Sequence, residues 1–326
     1  MIYIITLFSF FIFSNALSMH TPPIQMTKIG NFKFTPPKTS SPIKNYLTLF
    51  RANNVFPVTV LSFTGGIITN PHIKTLLYMP AFLTSVINTN FVMISSMVLN
   101  DLYDYETDKI NNPTRPLITG EISKRSAIIA VSALLFITEV LTFKFLPVNL
   151  QLLMQMAIVT IIIYTPIFKR IPLIKNVSCA SLVAFSLYFN GLSTNTISIS
   201  KEAYNRLAIA SRTVFFGSLV NEILLDIRDS IGDKANGIYT IPVIYGNNKA
   251  WLIAYSFLTI NMIWNIFAMQ NIYGPLKSSV LLLAFLPLYM KMHCICNEYY
   301  SNMSIVKYMN QSTTSMFIIL ALVLKK

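Results

Sequence analysis

Apolar stretches of about 20 residues recur along most of this chain, and that recurrence restricts the fold more than any other feature. A run of that length is what a helix needs to cross the hydrocarbon core of a bilayer. The core admits only helices or closed barrels, because every backbone polar group must be paired internally. These runs are too long and too continuous for barrel strands. The expected fold class is therefore all-α, a polytopic membrane bundle of about nine transmembrane helices. The spans are expected near residues 47–69, 77–99, 126–147, 149–167, 177–195, 204–225, 249–271, 275–293 and 311–324.

In so apolar a chain, the acids that remain are informative. Asp and Glu together number 12, and eight of them fall in two short windows. The first window, NDLYDYETDKINNPTRPLITG, holds Asp101, Asp104 and Asp108 together with Glu106. The second, NEILLDIRDSIGDKANG, holds Asp226, Asp229 and Asp233 together with Glu222. Both Asp triads are spaced i, i+3, i+7, which on a helix turns through about 300° and 700° and sets the three carboxylates on one face. Three like charges on one face repel unless a cation compensates them. Two matched acidic faces, each closing an apolar run, point to a divalent-metal site.

The net charge of +13 does not mean a nucleic-acid partner, because most basic residues lie in the N-terminal leader or beside apolar runs. Loops after the even-numbered spans carry Lys109, Arg115, Lys124, Arg125, Lys169, Arg170, Lys175, Arg228, Lys234, Lys249 and Lys307. The opposite loops carry fewer, such as Lys74, Lys144, Lys201 and Lys277. By the positive-inside rule the first set faces the cytosol, or the stroma of a plastid. Both Asp triads belong to that basic side, which is thus the expected reactive face. The sequons at Asn176, Asn302 and Asn310 fall on or near the same side and are discounted. His293, Cys294 and Cys296 read as side chains near a helix end rather than a metal site.

Residues 1–18 read as a signal peptide or an uncleaved anchor, and residues 19–45 as a transit-like or disordered segment rich in Thr, Ser, Pro and Lys. The membrane domain is expected to run over 46–326. The leader fits either a bipartite plastid address or a plain secretory one. The chain is expected to be an integral, multi-pass protein of a plastid membrane or otherwise of the endomembranes.

Mg²⁺ takes oxygen ligands and typically uses one or two carboxylates plus substrate phosphates. A diphosphate held through Mg²⁺ by both triads would become a good leaving group, since the metal neutralises the charge that develops as it departs. Arg115, Lys169 and Arg170 stand on the same side to take remaining phosphate oxygens, Arg in fork geometry. The apolar bundle would hold a long isoprenoid tail and shield a carbocation from water. Tyr103, Tyr105 and Tyr164 are candidates to stabilise that cation through their rings.

These motifs resemble those of the UbiA superfamily of intramembrane prenyltransferases. The first stands here as Asn100, Asp101, Asp104, Asp108, Asn112, Pro113, Arg115, Pro116 and Gly120, and the second as Asp226, Asp229, Asp233, Gly237, Thr240, Pro242 and Gly246. Arg51, Asn54 and the run from Tyr164 to Arg170 are lesser echoes. The resemblance covers about Tyr46 to the C-terminus and implies a nine-helix bundle. It implies that Asn100, Asp101, Asp104 and Asp108 hold one Mg²⁺ and Asp226, Asp229 and Asp233 another. It implies that Asn54, Lys169 and Arg170 touch the diphosphate or seat the acceptor. The pair Asn221-Glu222 departs from several subfamilies, which carry Arg-Glu or another pairing there.

The first motif looks closest to chlorophyll-synthase-like and digeranylgeranylglyceryl phosphate synthase-like members. The implied reaction is Mg²⁺-dependent transfer of a polyprenyl group, preferably C20 (geranylgeranyl or phytyl), from its diphosphate to a lipophilic or aromatic acceptor in the lipid membrane. Two alternatives stay open. One is a terpene cyclase on the same scaffold, and the other a transporter whose acids carry cations. Transporters usually place such acids at mid-span, whereas here they close the spans.

Overall fold

The computed structural model describes residues 41–194, 199–235 and 237–324. The signal or anchor segment therefore lies outside the described residues, as does all of the transit-like segment before Ser41. Among the described residues the chain forms fourteen α-helices, two short 3₁₀ turns and no strand.

Helix α1 (Pro42–Leu49) starts inside the segment assigned to the leader, with the Ser41 hydroxyl accepting from Lys44 N at 3.4 Å. There follow α2 (Val55–Thr69), the short α3 (Ile73–Leu77) and α4 (Pro80–Tyr103). After α4 come α5 (Tyr105–Asn111) and α6 (Pro116–Thr119), then the long pair α7 (Lys124–Phe145) and α8 (Val148–Tyr164). The second half holds α9 (Ile174–Leu192), α10 (Lys201–Ala235), α11 (Ile241–Tyr245), α12 (Asn247–Tyr273), α13 (Pro275–Asn297) and α14 (Asn302–Leu324).

A helix stands at each of the expected spans, and five of them (α4, α7, α10, α12 and α13) are long and apolar enough to cross a membrane. The others fall short for readable reasons. Helices α2 and α8 have 15 and 17 residues, below the roughly 20 that a bilayer requires. Helix α9 carries Lys175, Asn176 and Asn190, and α14 carries Lys307 and a polar run from Asn310 to Ser315.

Packing runs in two halves that meet at α9. Helix α4 packs on α7, α2 and α8, while α9 bridges α2 to α10, and α10 in turn packs on α12 and α14. The largest apolar cluster joins α9, α10, α12, α13 and α14 through residues such as Leu187, Leu224, Leu258, Phe285 and Tyr308. Outward faces are apolar too. On α7, Ile129, Phe136 and Phe143 are 60%, 68% and 63% exposed, a surface that only lipid would cover without cost.

The α2–α9 contact depends on glycine. A Cβ on Gly65 would stand 2.0 Å from the Leu187 carbonyl oxygen, which is backbone and cannot yield. Gly65→Ala should therefore push α2 away from α9 and cost at least about 1–3 kcal/mol, the usual range for overpacking. Gly217 on α10 has open space around its Cβ position. Gly217→Ala should be neutral or stabilising by about 0.4–1 kcal/mol, since it narrows the unfolded ensemble. Thermal unfolding in detergent checks both, and equal melting temperatures for the two variants would contradict the packing argument.

Candidate active site

Helices deliver their charged ends to one end of the bundle. Asp101 sits in the last turn of α4, and Asp226, Asp229 and Asp233 occupy the last turns of α10. Lys169 and Arg170 form the 3₁₀ turn after α8, Lys175 and Asn176 the first turn of α9, and Arg51 the turn before α2.

At the first motif the helix is interrupted at Asp104, where α4 ends and α5 begins. That break separates the three carboxylates predicted to share one face. Asp101 and Asp108, both buried, converge on a single nitrogen of Arg115. Its Nη1 donates to Asp101 Oδ1 at 2.7 Å and also to Asp108 Oδ2. Arg51 Nη2 donates to the same Asp101 oxygen at 2.9 Å, and Asn112 Nδ2 to Asp108 Oδ1 at 2.9 Å. Asp104 turns instead to Lys169, whose ammonium pairs with its Oδ2. Arg51 holds φ 46, a left-handed backbone unusual for a side chain of its size.

The second motif is spread along α10. Asp226, buried, pairs with Lys175 and accepts from Asn176 Nδ2 at 2.9 Å. Asp229 is gripped by its neighbour Arg228 through Nε at 2.7 Å and Nη2 at 2.9 Å. Asp233 accepts from the Thr240 hydroxyl at 3.4 Å. Outside the spans, Glu106 pairs with Lys109 at 2.7 Å. That hydrogen bond lowers the Glu106 carboxyl below the ordinary carboxylate value and raises the Lys109 ammonium above its own.

Between the motifs a cavity of about 300 Å³ runs into the bundle. Arg51, Asn100, Tyr164, Cys179 and Glu222 belong to its polar part, with the hydroxyls of Thr89, Ser96 and Ser186, while Val58, Leu61, Val92, Met93, Leu182 and Phe185 belong to its apolar wall. Asn100 Oδ1 accepts from the Thr165 hydroxyl at 3.3 Å, and Cys179 Sγ donates to Tyr164 Oη at 3.1 Å.

Among the described residues no three His, Cys, Asp or Glu side chains gather as a ready-made metal cluster. The donor chemistry nonetheless fits Mg²⁺. All candidate ligands are hard oxygens, two carboxylates already converge on one cationic nitrogen, and Mg²⁺ needs only one or two carboxylates besides substrate phosphates.

Of the expected aromatic residues only Tyr164 lines the cavity. Tyr103 is exposed, and the ring of Tyr105 carries Lys124 Nζ at 3.3 Å from its centroid, so neither ring faces the pocket. Asn54 is half-buried on the turn before α2, Arg170 is exposed on the turn after α8, and neither lines the cavity. Sequence reasoning missed Lys175, Asn176 and Cys179. Asn176, a sequon by pattern, is 1% exposed and donates to Asp226. The signal that could have found it is a Lys-Asn pair intruding into the start of an apolar span.

A family model described as the UbiA prenyltransferase family matches residues 56–313. The digeranylgeranylglyceryl phosphate synthase of Sulfolobus acidocaldarius is 31% identical over 219 residues, covering 65% of this chain and 73% of that relative. The enzyme of the same name from Pyrococcus furiosus is 30% identical over 226 residues, covering 67% and 76%. A UbiA homolog from Archaeoglobus fulgidus, solved with GPP and Mg²⁺, has the same fold, with a TM-score of 0.62 at 20% identity over 86% of this chain and 99% of that one. A solved structure described as digeranylgeranylglyceryl phosphate synthase in membranes gives a TM-score of 0.70 at 21% identity, covering 87% and 98%. The family match spans most of the chain and includes both acidic motifs, and it leads to one conclusion: this is a membrane protein of the UbiA prenyltransferase family, and it is a prenyltransferase.

Proposed function

We propose that the chain transfers a C20 prenyl group, geranylgeranyl, from its diphosphate to the free hydroxyl of a prenylated glyceryl phosphate, making an ether lipid precursor. The observation that carries this reading is the cavity whose polar part touches both motif-bearing helices and whose wall is apolar. The choice of acceptor is supported by the relatives' name, which describes a glyceryl phosphate bearing two geranylgeranyl chains. A phosphate on the acceptor asks for a cation beyond those committed to acids. Arg170 is exposed at the same end and enters no ion pair among the described residues.

Mg²⁺, as in the A. fulgidus homolog solved with it, would be held by Asn100, Asp101, Asp104 and Asp108 and by Asp226, Asp229 and Asp233. When bound, it neutralises charge on the departing diphosphate. The chain's own cations do the rest. Arg51, Arg115, Lys169 and Lys175 hold the carboxylates in place and would meet phosphate oxygens entering at the same end. Cavity walls exclude water from the allylic carbon as its bond to oxygen breaks. The Tyr164 ring faces that space and would stabilise positive charge there.

A cavity of about 300 Å³ is at the lower edge of ligand sites, which run about 300–1,000 Å³. A long tail therefore continues between helices toward lipid. The full nine-span topology belongs to this same reading. The archaeal relatives lend no support to a plastid address, so an internal membrane is the location we keep.

The test is an acceptor panel on the protein in liposomes with geranylgeranyl diphosphate and Mg²⁺. A geranylgeranylglyceryl phosphate should be consumed in preference to hydroxybenzoate, homogentisate and chlorophyllide. Preference for any of the aromatic acceptors would overturn the choice of glyceryl phosphate. Diphosphate release with an intramolecular product and no adduct would favour the cyclase.

A further inference from the structure

An ether-forming transfer must dispose of a proton, and the metal-binding motifs are poorly placed to take it. Asp101, Asp104, Asp108, Asp226 and Asp229 are engaged by Arg51, Arg115, Lys169, Lys175 and Arg228, and Asp233 accepts from Thr240 and does not line the cavity. Glu222 differs. It lines the cavity, and no ion pair engages its carboxylate among the described residues. It precedes Asp226 by one helical turn and shares a face with Asp226 and Asp233. One turn is about 5.4 Å along the axis. A diphosphate seated at the Asp face would thus set its first prenyl carbon at the level of Glu222, on the cavity side.

We propose that Glu222 is the general base of the transfer, a reading that rests on the hydroxyl acceptor proposed above. The bond between the prenyl C1 and the diphosphate oxygen breaks, and its electron pair leaves with the diphosphate. The acceptor oxygen forms the new C–O bond to C1. Its proton passes to the Glu222 carboxylate and from there to solvent. Other polar groups in the cavity serve this role less well. Tyr164 and Cys179 hydrogen-bond each other at 3.1 Å, Arg51 is a cation paired to Asp101, and the remaining lining groups are neutral amides and hydroxyls. The charged and titratable groups facing Glu222 are Lys175 and Cys179 of α9, Tyr164 of α8 and Asp226 of its own helix. Asn221, beside it, points a buried oxygen at no partner.

The experiment compares the full-length wild type with Glu222→Gln and Glu222→Asp in liposomes containing Mg²⁺. Ether product is measured from geranylgeranyl diphosphate and a glyceryl phosphate monoether, alongside binding of a non-reacting thio analogue of the donor. Glu222→Gln should lose ether formation by about 10²–10⁴-fold, the usual share of a general base, and keep its affinity for the donor analogue. Glu222→Asp should recover part of the rate. Wild-type ether formation should fall as the pH drops and the base is protonated, while donor binding over the same range should not follow it.

A Glu222→Gln enzyme that forms the ether at the wild-type rate would overturn the proposal and leave the acceptor reading standing. A wild type that consumes donor but makes no ether would overturn the acceptor reading itself. Should Glu222→Gln fail to fold, the wild-type profile decides, and a flat acid side would overturn the role of Glu222.

Discussion

Asp101→Asn is expected to cut turnover steeply while leaving the bundle folded. Asp101 is 3% exposed and accepts from two guanidinium groups, Arg51 at 2.9 Å and Arg115 at 2.7 Å. Asn keeps the shape but removes the charge that both cations and an incoming Mg²⁺ require. One carboxylate of a charge-stabilising set is worth about 10²–10³-fold in rate. The stability loss should be smaller than for a fully buried pair, where breaking one side costs about 3–5 kcal/mol. Arg51 and Arg115 side chains are 35% and 24% exposed, so water takes over part of their solvation and roughly 1–3 kcal/mol is expected. Diphosphate release and a thermal melt in the same detergent check the two halves separately. A variant with wild-type turnover would remove Asp101 from the chemistry.

The second large effect belongs to Asp226. Its partner Lys175 is 18% exposed and Asp226 itself 5%, so Asp226→Ala strands an ammonium in a drier place than the Asp101 change does. It should cost about 3–5 kcal/mol as well as activity. Replacing both members with apolar residues of similar size is often neutral. Lys175→Met combined with Asp226→Leu should therefore melt near the wild type and remain inactive. That pairing separates the two roles of Asp226. If the double variant melted as low as Asp226→Ala, the ion pair would not be the source of the instability. If it turned over, Asp226 would not be needed for the reaction.

The contrast between the two motifs also shows where a linear reading reaches its limit. Apolar period and length located the helices, and the twin i, i+3, i+7 patterns located the chemistry. Boundaries drifted where helices continue past their apolar part. Helix α10 was expected to end near residue 225 but runs to Ala235, because its last turns are the acidic motif itself. Helix α14 starts at Asn302, nine residues ahead of the expected 311, through a polar stretch that carries no membrane signal.

The break at Asp104 was not legible either. Nothing in YDYET marks the residue where the helix yields, and only its consequence, the pairing of Asp104 with Lys169 across 65 positions, exposes it. Lys175 and Asn176 reach Asp226 across 51 and 50 positions. They are delivered by a turn in which Leu173 holds φ 65, a conformation no Leu advertises.

The decisive measurement is Mg²⁺-dependent release of diphosphate from geranylgeranyl diphosphate by the purified chain, with acceptor present, for the wild type, Asp101→Asn and Asp226→Asn. If the two motifs act together on one diphosphate, release by the wild type stops on chelation and is lost in both variants. Release that persists under chelation, or survives in either variant, would contradict a shared site.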